Sequence, residues 1–198
     1  ELYDYLKNKS DYDLSEVIKE VTIPKGQPIY IPGQSTFYIY EIISGAVKLG
    51  SYGSQGQNVT YDVISAPDTF GNLKYLNGGF FEFAETIVPT RLRTYRLEFF
   101  KQIIVTDPFV SEWFNKSTVR RWAQTESRLF HIRSLDRFEK VQSVFNEFDR
   151  EVTDINHRKH NLFALLTMQD LGDLTGMTRQ TVSQILKRIR GNNRKETA

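Results

Sequence analysis

The sequence predicts an α+β protein. An N-terminal antiparallel β-roll of jelly-roll type comes first, then one long helix, then a helical unit of helix–turn–helix, winged-helix-like form. Three observations predict this. Short apolar or alternating runs separated by Gly and Pro turns fill residues 21–97, the pattern of an antiparallel sandwich or barrel. From Asp107 onward the apolar period becomes helical. Residues 167–190 then read as two helices with a tight turn between them. The expected boundaries are 1–106 for the roll, 107–135 for the long helix and hinge, and 136–198 for the C-terminal unit.

Residues 1–20 are expected to be a short helical lead-in, with Leu2, Tyr5, Leu6, Val17 and Ile18 as apolar contacts. Strands are expected at 27–31, 37–43, 46–52, 58–64, 84–88 and 91–97. Turn residues separate them: Pro24-Lys25-Gly26, Pro32-Gly33, Ser44-Gly45, Gly53-Ser54-Gln55-Gly56, Ala66-Pro67-Asp68 and Asn77-Gly78-Gly79. Pro108 suits a helix start, where its missing N–H costs nothing. The long helix runs to about Arg133, with Trp122, Thr125, Leu129 and Ile132 as a heptad-like stripe and Arg120, Arg121 and Arg128 beside it. Ser134-Leu135-Asp136 marks a break, since Ser and Asp favour N-caps. A further helix turns Phe138, Val141, Val144, Phe145 and Phe148 inward. Residues 154–160 are a polar connector, and Phe163, Leu165 and Leu166 lead into the helical motif.

In that motif Leu171 and Leu174 share one face of the first helix, Gly176 supplies a left-handed turn residue, and Thr178 caps the second helix. Val182, Ile185, Leu186 and Ile189 face a core at helical spacing. The opposite face carries Arg179, Gln180, Ser183, Gln184 and Lys187. Arg and Gln pair with guanine and adenine edges in a major groove, and a second helix presenting them from its first turns is a recognition helix. Base reading is therefore assigned to Arg179, Gln180, Ser183 and Gln184, and phosphate contact to Thr167, Thr178, Lys187, Arg188 and Arg190. One such residue alone would suit a plain helical hairpin with a solvated face; the ordered set points to double-stranded DNA.

Composition narrows the alternatives. The 198 residues suffice for one large or two modest domains. With no cysteine, disulfides, thiolate-held iron–sulfur clusters and Cys-ligated zinc are excluded. No apolar run approaches the roughly 18 residues of a membrane span, and no secretory leader is visible, so a cytoplasmic protein without membrane association is expected. Net charge is only +2, but residues 157–198 hold eight cations and three carboxylates, +5 against −3 for the rest. A basic end on a slightly acidic body suits phosphate contact by that end. An enzyme on a cupin-like barrel would need clustered metal ligands, yet His131, His157 and His160 all lie outside the roll. No metal, no cofactor and no catalytic residues are expected. The basic end also argues against a pure protein–protein adaptor.

A β-roll, long helix, hinge and C-terminal helix–turn–helix resemble the Crp/Fnr family of bacterial transcription regulators. The likeness covers nearly the whole chain. It is carried by Pro32-Gly33 before Tyr38-Ile39-Tyr40-Glu41-Ile42-Ile43-Ser44-Gly45, by Phe70-Gly71-Asn72-Leu73, and by Thr178-Arg179-Gln180-Thr181-Val182. The resemblance implies a homodimer joined through the long helix at Trp122, Thr125, Leu129 and Ile132, and a DNA target that is an inverted repeat. It also implies an effector domain with a cyclic-nucleotide-binding-like fold, and RNA polymerase as a further partner.

Two departures bear on the effector. Cyclic-nucleotide-binding members carry Gly-Glu and then, about ten residues on, Arg-Ser or Arg-Thr to grip the phosphate. The corresponding positions here read Gly71-Asn72 and Glu82-Phe83. A carboxylate repels a phosphate, and Phe cannot donate a hydrogen bond. The resemblance thus implies a degenerate pocket at Gly71, Asn72, Leu73, Glu82, Phe83, Ala84 and Trp122, with Trp122 near the place of the purine base. The expected effector is unknown and not cyclic AMP; the alternative is a regulator that still binds a cyclic nucleotide through an altered cassette. The second departure follows Arg190, where the family continues into a wing hairpin but the remaining residues are few and polar. The wing is expected to be either absent or replaced by a basic tail that could touch phosphates.

Overall fold

The computed structural model describes residues 2–9, 12–34, 36–75 and 81–196, with side chains as far as Ile189. The chain opens with helix α1 (Leu2–Lys7). Eight strands follow: β1 (Ile18–Ile23), β2 (Pro28–Tyr30), β3 (Tyr38–Ser44), β4 (Ala46–Tyr52), β5 (Asn58–Ser65), β6 (Thr69–Phe70), β7 (Phe83–Thr86) and β8 (Thr90–Arg96). They form two four-stranded antiparallel sheets, ordered β1-β8-β3-β6 and β2-β7-β4-β5. Alternation sends Ile42, Val47, Leu49 and Leu92 into the space between the sheets, beside the rings of Tyr30, Tyr40 and Phe70. Tyr40 and Phe70 stack with centroids 5.2 Å apart.

Helices α2 (Leu97–Thr106) and α3 (Pro108–Ser134) follow the roll. The buried Asp107 between them starts α3, accepting the N–H groups of Phe109 and Val110. It also receives Lys9 Nζ at 2.6 Å and the Tyr5 hydroxyl, which ties α1 to this junction. Leu2, Leu6, Tyr95, Phe100, Ile103 and Val110 pack there as a separate core. Beyond Val110, no other residue of α3 is fully buried. Arginines hold the helix to the roll instead: Arg120 meets Asp68 at 3.0 Å, and Arg121 and Arg128 meet Asp62 at 3.4 and 3.1 Å.

Asp136 then caps α4 (Arg137–Phe148) in a reciprocal box with Glu139. A small hairpin, β9 (Glu151–Thr153) and β10 (Lys159–Asn161), leads through α5 (Leu162–Leu165) to α6 (Met168–Thr175) and α7 (Arg179–Glu196). Phe148, Leu162, Leu171, Leu174 and Val182 from these helices pack with Ala46, Val63 and Val88 of the roll in one cluster. The helix–turn–helix is therefore seated on the roll of its own chain.

The structure corrects several expectations. Residues 18–20, expected as the end of a lead-in helix, open a strand instead; α1 stops at Lys7, and β1 pairs along β8 from Ile18↔Tyr95 to Ile23↔Thr90. Strand β6 is two residues long, too short to show an alternation. The helical period begins at Leu97, ten residues before Asp107, with the apolar face Leu97, Phe100, Ile103 and Ile104. The polar connector contains a hairpin turn, organised by Asp154 accepting the N–H groups of Asn156 and Arg158. Phe138 and Phe145 are 52% and 36% exposed, because α4 buries the face of Val141, Val144 and Phe148 and leaves both beside it. Past Arg190 the chain continues as helix α7 to Glu196 rather than as a tail. The expected turn at 77–79 lies outside the described residues.

Phe148 is 1% exposed in the cluster that joins roll and motif. Phe148→Ala should cost about 3–5 kcal/mol of folding stability, read from urea unfolding followed by far-ultraviolet circular dichroism. A loss under about 1 kcal/mol, the scale of a surface change, would mean that the two parts share no core.

Candidate functional site

Local sequence builds the motif. The Thr167 hydroxyl accepts the Asp170 N–H and donates to the Asp170 carboxylate, while the Thr167 N–H also meets that carboxylate at 2.9 Å. Gly176 ends α6 in the left-handed region, φ +66. The Thr178 hydroxyl accepts the Thr181 N–H at 3.2 Å and opens α7. Leu171, Leu174 and Val182 are buried. Arg179, Gln180, Gln184, Lys187 and Arg188 are exposed and Ser183 is half-buried.

These side chains converge. Thr167, Gln169, Arg179, Gln180, Ser183, Gln184 and Lys187 line one shallow cleft of about 560 Å³, and no carboxylate lines it. Two cations without a competing anion suit a polyanionic surface, and the amides and hydroxyl beside them suit base edges. Arg188 is exposed but outside the cleft lining, and the Arg190 side chain lies outside the described residues. Thr167 spends its one hydroxyl hydrogen on Asp170 and Thr178 pairs its hydroxyl with Thr181 at 2.9 Å, so both act first as caps.

The back of α6 is polar too, and sequence reasoning missed it. The Thr60 hydroxyl donates to Asp170 at 2.8 Å, the Thr60 N–H donates to Asp173 at 2.9 Å, and Lys48 Nζ lies 3.7 Å from Asp170. Burial pushes the Asp170 carboxyl up, but the hydrogen bonds from Thr167, the Lys48 ammonium and the Thr60 hydroxyl outweigh it and hold the carboxyl below its usual range. The spacing Thr167–Asp170 is that of a capping box and could have flagged half of this contact; the link to Thr60 is 110 residues distant in sequence and left no local signal.

The residues assigned to the degenerate pocket divide into two groups. Gly71, with φ +121, Leu73 and Trp122 border a cavity of about 350 Å³ between the β6 end and α3, together with Phe100, Phe114 and Arg121. Asn72 folds onto its own loop, accepting the Lys74 N–H. Glu82, Phe83 and Ala84 instead lie inside the roll. Ala84 belongs to the inter-sheet core, and Phe83 stacks on Tyr52. Glu82 is 9% exposed, with the hydroxyls of Tyr30 and Tyr61 donating to its two carboxylate oxygens. Burial raises the Glu82 carboxyl above its usual range despite those two bonds, and burial beside Glu82 raises both phenols.

On α3, Trp122 and Leu129 are 64% and 53% exposed, Thr125 is exposed and Ile132 is half-buried. A Cβ at Gly176 would come within 3.0 Å of Ile132, so Ile132 lies against the motif's turn. His131 joins α3 to α4 through Ser143 at 2.8 Å, and His160 sits on Asp154 at 2.9 Å. Among the described residues no cluster of His, Cys, Asp and Glu could hold a metal ion, and no helix is long and apolar enough to cross a membrane.

Comparison with known proteins agrees with this architecture. Residues 20–107 match the family described as cyclic nucleotide-binding domain. A global nitrogen regulator of Synechococcus elongatus is 24% identical over 169 residues, covering 84% of this chain and 76% of the relative. A CRP-like cAMP-activated global transcriptional regulator of Mycobacterium tuberculosis is also 24% identical, covering 87% of this chain and 78% of its own. Among solved structures, FixK2 of Bradyrhizobium japonicum matches with a TM-score of 0.72 at 21% identity, covering 89% of this chain and 86% of that one. A CRP/FNR-family regulator of Thermus thermophilus matches with a TM-score of 0.67 at 16% identity, covering 88% and 87%. The Mycobacterium relative and the Thermus structure are both described as transcriptional regulators.

Asp170 gives a pH test. Its lowered folded value means that its contribution is complete above the usual carboxylate range and is lost as acid protonates the folded carboxyl. Asp170→Asn should be less stable at pH 7 by about 1.5–3 kcal/mol, the scale of hydrogen bonds to a charged group. The gap between wild type and variant in urea unfolding should narrow as pH falls below about 4. Glu82 has the opposite sign but is common to both proteins, so it cancels. A gap unchanged from pH 7 to 3 would contradict the assignment.

Proposed function

We propose, from its kinship with the Crp/Fnr regulators, that this chain is a homodimeric, sequence-specific DNA-binding transcription regulator. The observation that carries the reading is the exposed, acid-free cleft at the start of α7, with Arg179 and Gln180 in its first turn. Arg179, Gln180, Ser183 and Gln184 read bases; Lys187, Arg188 and Arg190 meet phosphates, with Thr167 and Thr178 supporting from the helix starts. RNA polymerase is the protein partner and the cytoplasm the setting.

Dimerisation rests on α3, which spans 27 residues and leaves Val119, Trp122, Leu129 and Phe130 exposed. An apolar stripe on a helix fixed along its other side by Arg120, Arg121 and Arg128 suits a two-fold mate. The roll does not bind cyclic AMP in the family's manner: Glu82 stands at the phosphate-binding position, buried and engaged by two tyrosines. The separate cavity beside Gly71, Leu73 and Trp122 supports a second reading, in which another small molecule binds between β6 and α3 and tunes the regulator.

Selection from a random DNA pool tests the reading. The expected product is an inverted repeat with half-site centres about one helical turn, roughly 10 base pairs, apart. On that site Arg179→Ala should cost about 1–3 kcal/mol and relax preference at one position. Lys187→Ala should weaken all sequences alike and lower the salt slope by about one unit. Recovery of no common sequence, or no effect of either substitution, would remove α7 as the reading helix. For assembly, Trp122→Ala should weaken the dimer by about 2 kcal/mol or more, some thirtyfold in dissociation constant, in sedimentation equilibrium. A wild-type monomer at tens of micromolar would contradict the dimer.

A further inference from the structure

Strand β5 carries one residue more than its partner. Against β4 it pairs Thr60 with Gly50 and Asp62 with Leu49, so Tyr61 has no opposite residue. Such a bulge bends the strand and re-aims its side chains. Here three consecutive residues reach three different parts of the protein. Thr60 holds α6 through Asp170 and Asp173. The Tyr61 hydroxyl donates to Glu82 within the roll, and the Tyr61 carbonyl accepts Arg128 of α3 at 2.5 Å. Asp62 pairs with Arg121 and Arg128.

We infer that Glu82 is a built-in ligand of the roll and that the Thr60–Tyr61–Asp62 bulge is the link by which it positions the helix–turn–helix and the long helix. Glu82 clamps Tyr61 and Tyr30 from strands β5 and β2, closing the region by a tethered carboxylate. With Tyr61 held, the bulge has one shape. Thr60 and Asp62 are then presented to α6 and α3 in one register. The recognition residues face away from this contact, so the link presents the reading surface rather than covering it. Glu82 and Tyr61 are positioning residues; neither touches DNA.

The inference rests on the DNA-binding reading only in its last measurement. Tyr61→Phe deletes one hydroxyl, and Glu82→Gln keeps the volume while replacing one acceptor. Both should speed amide hydrogen exchange across 168–175 of α6 and at Thr60 by about fivefold or more, the lower end of ordinary site-to-site coupling. Coupling is reciprocal, so Asp170→Asn should in turn speed exchange at 81–86, and the double variant Y61F/D170N should show less than the sum of its parts. On a selected inverted repeat, Tyr61→Phe should weaken binding by about fivefold or more while leaving an isolated half-site unaffected. Faster exchange confined to β5 and β7, with α6 unchanged in both variants, overturns the link; so does strict additivity of Tyr61→Phe and Asp170→Asn. If Tyr61→Phe does not fold, Glu82→Gln and Asp170→Asn carry the same comparison. Failure of the wild type to bind any DNA would sink the regulator reading, while the exchange data would still decide the link.

Discussion

The carboxylate of Asp170 starts the first helix of the motif and, at the same time, fastens that helix to the roll. Burying a carboxylate is costly unless its oxygens are fully engaged. Here they are engaged from both sides: the Thr167 N–H and hydroxyl come from the helix, and the Thr60 hydroxyl and Lys48 from the sheet. The orientation of α6 on β5 follows from satisfying that one group. Once α6 is placed, the turn at Gly176 and the cap at Thr178 place α7, and the outer face of α7 points to solvent. The apolar cluster of Phe148, Leu171 and Val182 with Ala46 and Val63 supplies most of the adhesion; the carboxylate supplies direction.

The long helix solves a different problem. Its sequence is too polar to be held by burial, and only Val110 is fully buried in it. Three arginines tie it to Asp62 and Asp68 along one side, and its apolar residues are left on another. Exposed ion pairs contribute little singly, but Arg128 is largely enclosed and binds Asp62, Glu147 and the Tyr61 carbonyl together. That network fixes which face of α3 is left exposed, the one that carries Val119, Trp122, Leu129 and Phe130.

Legibility in the sequence follows the range of the interactions. The helix–turn–helix was readable because its signals are local: a Thr cap, a Gly turn and apolar residues three and four apart. The break before α4 was readable for the same reason, through Asp136 and Glu139. Strand β1 was not, because it is made a strand by pairing with β8, more than sixty residues away. The exposure of Phe138 depended on which face of α4 the neighbouring helices would cover, which periodicity alone does not say. At the candidate site, Glu82 was recognisable as out of place for a phosphate site, whereas its partners Tyr30 and Tyr61 meet it only across strands. The seven residues assigned to one pocket separated because Glu82, Phe83 and Ala84, at the start of β7, are buried in the roll, Gly71 and Leu73 share a cavity with Trp122 of α3, and Asn72 turns onto its own loop.

On the proposed reading, the roll is closed by its own carboxylate and presents α7 without a diffusible nucleotide. The most direct measurement is the affinity of the chain for its selected inverted repeat, by fluorescence anisotropy at fixed salt, with and without millimolar cyclic AMP or cyclic GMP. A ligand that does not distinguish two states shifts nothing between them, so the predicted affinities agree within about twofold. An increase of about tenfold or more on adding either nucleotide, the scale of an allosteric coupling, would contradict it.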